Sequence, residues 1–87
     1  MKMETRYIIF KNEVEILLKK SPRNIQAIYS EIQKKYPNEC DDREPCEHKG
    51  HFYQYGEWKH IVRNALQGLK KEKMVVYDPV KVIWVHN

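Results

Sequence analysis

Two stretches of the sequence carry residues that could do chemistry. Between Glu57 and Lys73, the residues Lys59, His60, Arg63, Asn64, Gln67 and Lys70 recur at steps that put them on one side of a helix. Arginine offers a bidentate fork to guanine, asparagine and glutamine can pair two hydrogen bonds with adenine, and lysines at the margins can hold phosphates. A merely solvated helix face more often alternates Glu with Lys in supporting pairs. Here no acid follows Glu57 until Glu72. The mixture suits a nucleic acid, and a solvated face is its plain alternative.

The second stretch, CDDREPCEHKGH, holds Cys40, Cys46, His48 and His51, the thiolate and imidazole set that binds zinc. Its spacing is not a usual zinc form. Cys40 and Cys46 lie farther apart than in a CxxC knuckle, no second knuckle follows, and one residue separates Cys46 from His48. A structural zinc is therefore the lesser alternative, and the expectation is no cofactor, with the cysteines as small loop residues. A Cys40–Cys46 disulfide would fit sterically, but an intracellular chain keeps such thiols reduced. Asp41, Asp42 and Glu44 would supply only half of a hard-cation oxygen set and read as solvated acids. Neither an oriented nucleophile nor a glycine-rich phosphate cradle is evident, so the chain is not expected to be an enzyme.

Three helices and a hairpin must position these residues. Phe10, Val14, Leu17 and Leu18 recur at helical spacing and predict a first helix over Tyr7 to Lys20. Ser21 and Pro22 read as the cap and first position of a second helix, about Arg23 to Tyr36, with Ile25, Ile28, Tyr29, Ile32 and Tyr36 inward and Pro37 ending it. Residues 38–56 show no sustained period and read as a long irregular loop. The third helix buries Trp58, Ile61, Val62, Ala65, Leu66 and Leu69 and ends near Lys73. Beyond it, Val75 to Tyr77 and Lys81 to Val85 are β-type runs joined by a turn at Asp78-Pro79. Either Val82 with Trp84, or Ile83 with Val85, faces the helices. The order is that of an α+β winged helix-turn-helix: three helices followed by a C-terminal β-hairpin wing, with the third helix in the DNA major groove. A helical bundle carrying a hairpin would give the same pattern.

Composition sets the outer limits. The 87 residues suffice for a single domain spanning 1–87. No run of about 20 apolar residues is present to span a bilayer, and the N-terminus lacks the apolar stretch of a signal peptide. The chain reads as soluble and cytoplasmic, without a membrane partner. A net charge of +4 permits attraction to phosphates without demanding it. Lys34, Lys35 and Lys81 would extend a basic footprint, although Lys81 is the wing's only cation.

YPNECDDREPC, then EWKHIVRNALQGLKKEKMV and a closing VIWV, resembles a winged-helix domain associated with prokaryotic restriction endonucleases. The resemblance rests on Pro37, Cys40-Asp41-Asp42, Cys46, Trp58, His60, Val62, Arg63, Ala65 and Leu66, and covers roughly Tyr36 to Val85. It implies binding of double-stranded DNA, in several relatives with preference for N6-methyladenine, and a partnership with a nuclease domain or subunit. Carried across, His60, Arg63 and Asn64 become candidate base or phosphate contacts. Trp58 has two readings: first residue of the core stripe, or part of a methyl pocket with Phe52, Tyr53 or Tyr55. The chain departs from its relatives at Lys73, where they place a turn glycine, and in its short, weakly basic wing. A winged helix that binds protein instead of DNA, and a small zinc-stabilised adaptor, are the competing readings.

Overall fold

A computed structural model of the chain describes residues 3–40, 46–48, 51–53 and 57–87. It is α+β. Helices α1 (Met3–Lys20), α2 (Ile25–Lys35) and α3 (Glu57–Lys71) are followed by strands β3 (Val75–Asp78) and β4 (Ile83–His86), and the short strands β1 (Cys46–His48) and β2 (His51–Tyr53) lie between α2 and α3. The arrangement is compatible with the expected winged-helix layout.

One core joins all three helices to the C-terminal hairpin. Phe10, Val14, Leu17 and Leu18 of α1 meet Ile28, Tyr29 and Ile32 of α2 and the whole expected stripe of α3, with Val75 and Trp84 closing it from the strands. Spacing foresaw the helical positions, because each helix buries one continuous stripe; it did not mark Val75 as inward. Polar ties sit at the rim of this core. Lys35 Nζ lies 2.9 Å from Glu13, a buried carboxylate on α1. Lys11 Nζ lies 2.6 Å from Glu72 beyond the end of α3, and Arg6 pairs with Glu39 at 3.7 Å. The Glu72 and Glu13 hydrogen bonds raise the Lys11 and Lys35 ammoniums above their ordinary 10.5.

The second helix begins differently from the expectation. Ser21 does not cap it; its N–H donates to Leu17 C=O and so closes α1. Asn24 is the cap, accepting from Ala27 N–H at 2.8 Å. Arg23 is extended and forms an antiparallel bridge with Trp84, donating to Trp84 C=O at 3.1 Å and accepting from Trp84 N–H at 2.8 Å. A one-residue strand between α1 and α2 thereby fastens the hairpin to the helices. No sequence pattern announced it, because a single residue has no period.

The expected loop at 38–56 is not wholly irregular. Backbone pairing of Cys46 with Tyr53, Glu47 with Phe52 and His48 with His51 makes a small second hairpin. Two three-residue strands are too short to leave a readable alternation.

In the C-terminal hairpin, Val75 pairs with His86, Val76 with Val85, Tyr77 with Trp84 and Asp78 with Ile83. Trp84, not Val85, turns toward the core, and Tyr77 packs on it with ring centroids 5.0 Å apart. Val82 does not accompany Trp84 inward. It adopts φ 55° at the loop end and stands 56% exposed beside Val80, which is 90% exposed. Asp78 Oδ1 accepts from Val80 and Lys81 N–H and so folds the turn. Lys81 lies in that turn, not in a strand.

Helix α3 is closed by the turn at Lys73, two residues past its last residue, where φ is a left-handed 63°. Met74 N–H donates to Leu69 C=O and Lys73 N–H to Lys70 C=O, which is the Schellman pattern. A lysine thus occupies the position that most often takes glycine, and the helix stops there regardless.

Candidate nucleic-acid interface

Burial divides α3 cleanly. Trp58, Ile61, Val62, Ala65, Leu66 and Leu69 are buried, while Arg63, Asn64, Gln67 and Lys70 are exposed and Lys59 and His60 half-buried. The six candidate contacts therefore share the surface opposite the core. The segment carries two acids, and Glu57 stands at helical spacing from His60 and Asn64. Glu57 begins the helix, and Glu72, beyond its end, is drawn to Lys11 on α1. Apart from Glu57 at its start, the face is positive and amide-bearing.

One flank of this face borders α2. Ile25, Gln26 and Tyr29 line a groove of about 320 Å³ with Lys59 and Arg63. The Lys59 ammonium sits 5.6 Å from the Tyr29 ring centroid and 5.7 Å from that of Trp58, within range of a cation–π attraction. Tyr29 meets Trp58 edge-on at 5.5 Å. These aromatic rings hold Lys59 toward α2 and leave the centre of the face to Arg63 and Gln67.

Ile25, Gln26 and Tyr29 were not foreseen as part of a site. One signal was available: the first turn of α2 carries no acid, so nothing there repels a phosphate near the cap. Their approach to α3 depends on how two helices cross, which spacing within either one does not encode.

Trp58 belongs to the core. It is 1% exposed and among the largest fully buried side chains, so it has no surface to offer a methyl group. The side chains of Phe52, Tyr53 and Tyr55 fall outside the described residues. Cys40 is buried in the core cluster, and Gln33 Nε2 donates to its carbonyl oxygen at 3.3 Å. The side chains of Cys46, His48 and His51 also lie outside the described residues, as do Asp41, Asp42 and Glu44. Among the described residues no three His, Cys, Asp or Glu side chains gather as a metal would require. No helix among them is long and apolar enough to cross a membrane.

Lys81 stands on the hairpin tip, between Val80 and Val82. The hairpin is fastened through Trp84 of β4 to Arg23, two residues before Ile25. Comparison with family models, with curated proteins and with solved structures returns no match to this chain.

Proposed function

We propose that this chain is a winged-helix module that binds double-stranded DNA with α3 in the major groove. The observation that carries the reading is the solvent face of α3, where Lys59, His60, Arg63, Asn64, Gln67 and Lys70 lie together without an acid among them. Lysine and arginine supply the phosphate and guanine chemistry, and Asn64 and Gln67 supply the adenine chemistry. The Arg23–Trp84 bridge supports the reading, since it fastens the C-terminal hairpin to the segment that leads into α2. The finer reading, recognition of N6-methyladenine in service of a restriction-type nuclease, rests on the sequence resemblance. Of the aromatic residues invoked for it, Trp58 is buried in the core.

The test is fluorescence anisotropy with paired short duplexes, identical except for one N6-methyladenine, at two salt concentrations. Salt-sensitive binding supports the DNA reading, and preference for the methylated duplex supports the finer one. Arg63→Ala is expected to weaken binding by about 1–3 kcal/mol if Arg63 reads a base. Absence of binding to either duplex would sink the proposal.

A second reading is favoured by the hairpin tip. Val80 and Val82 stand exposed there with one lysine between them, an apolar surface poorly matched to phosphates. A winged helix that docks on protein would use such a tip, and it would show no duplex affinity.

A further inference from the structure

A lysine on an open helix face sweeps many rotamers, and ordering such a side chain on binding lowers affinity by about two- to tenfold. Lys59 is held before any partner arrives. Its ammonium lies 5.6 Å from the centroid of the Tyr29 ring and 5.7 Å from that of Trp58, where a ring face attracts a cation. Both rings are buried, and Tyr29 meets Trp58 edge-on at 5.5 Å. The pair of rings is therefore a fixed seat, and Lys59 is half-buried on it while Arg63 and Lys70 of the same helix are exposed.

The place where Lys59 is held matters as much. Ile25 and Tyr29 stand one turn apart on α2, Lys59 and Arg63 one turn apart on α3, and together with Gln26 they line the groove of about 320 Å³ between the helices. None of the five is acidic, and the first turn of α2 carries no acid. An ammonium has three donors, and a ring face occupies only one side of it. Gln26, exposed at the start of α2, brings a side-chain amide to the same groove. An oxyanion can accept from the Lys59 ammonium and the Gln26 amide at once, with the Arg63 guanidinium at the other end of the wall.

We infer that Tyr29 is a positioning residue of the DNA interface, holding Lys59 over the groove so that Lys59 and Gln26 together seat one backbone phosphate of the duplex. The inference rests on the DNA reading proposed above and goes beyond it in three ways. Lys59 acquires a contact that is blind to sequence, α2 joins the contact surface through Gln26, and a buried tyrosine that touches no DNA sets part of the affinity.

Because a phosphate contact carries no sequence information, two fluorescein-labelled short duplexes of unrelated sequence suffice as probes. Each is titrated with the full 87-residue chain by fluorescence anisotropy at several salt concentrations. Lys59→Gln is expected to weaken binding equally on both duplexes and to lower the slope of log affinity against log salt by about 0.9. Gln26→Glu, which sets a carboxylate beside the phosphate, should weaken both as well. Tyr29→Leu should weaken binding by about two- to tenfold, whereas Tyr29→Phe, which keeps the ring face, should bind like the parent. In a Lys59→Gln background Tyr29→Leu should add nothing. That comparison separates positioning from folding, since a disturbed core would weaken binding in either background.

A Tyr29→Leu loss of equal size in both backgrounds overturns the positioning role. A Lys59→Gln loss that differs between the duplexes, or leaves the salt slope unchanged, overturns the phosphate contact, as does a Gln26→Glu variant that binds like the parent. Each of these results is read while the parent chain still binds DNA. Failure of the parent to bind either duplex removes the DNA reading itself, and this inference with it.

Discussion

Gly68 lies on α3 where it packs against α1, and a side chain added there sets two effects against each other. Inside a helix alanine is preferred over glycine by about 0.8–1.0 kcal/mol. A Cβ at Gly68 would, however, come closer than 3.0 Å to the Tyr7 hydroxyl oxygen, while Tyr7 Cζ at 3.7 Å and Lys11 Cε at 3.9 Å are ordinary contacts. Only the hydroxyl must give way. Tyr7 packs against the core, so tilting its ring off a preferred rotamer costs about 0.5–1.5 kcal/mol. Gain and cost nearly cancel, and Gly68→Ala alone is expected to leave stability within about 0.5 kcal/mol of the parent. In a Tyr7→Phe background the obstacle is gone, and the same substitution should stabilise by about 1 kcal/mol. The two sites are thus coupled by about 0.5–1.5 kcal/mol. Urea unfolding of the four proteins, followed by the fluorescence of Trp58 and Trp84, measures the cycle. A coupling below about 0.3 kcal/mol is what independent sites give, and it would refute the argument that the hydroxyl fills the space over Gly68.

Other consequences are equally direct. Lys73→Gly should raise stability in urea by about 0.5–1 kcal/mol, the relief of a left-handed side chain less the entropy of glycine; a loss would mean that Lys73 makes a stabilising contact that outweighs its φ of 63°. Trp58→Ala should cost about 3–5 kcal/mol by leaving a cavity in the core. If stability is unchanged while duplex binding falls, the core assignment is wrong. Lys11 and Lys35 have raised folded-state pKa values, so their ion pairs contribute fully below the ordinary 10.5 and are lost as pH rises through the higher folded values. Stability should therefore decline above that pH, modestly because both ammoniums are solvated. The decline should be smaller in Lys35→Gln, as unfolding at two alkaline pH values would show.

The sequence determined the helices and their buried sides, because a stripe recurring every three or four residues is a local property that survives in any compact fold. For the same reason the polar face of α3, from Lys59 to Lys70, was legible as a set. The sequence put the end of α3 near Lys73 but carried no glycine to mark the stop; the Schellman cap and its left-handed φ put a lysine where glycine is most often found. What tertiary structure alone decided were the meetings between elements. Arg23 became a strand residue because Trp84 lay beside it, and Asn24 took over the cap that Ser21 and Pro22 had suggested. Trp58, open to two readings in sequence, was resolved by the edge of Tyr29 and the burial around it. The groove of Ile25, Gln26, Tyr29, Lys59 and Arg63 exists only because α2 and α3 cross there. Periodicity along one helix says which side is buried; it carries no term for the neighbour against which that side is pressed.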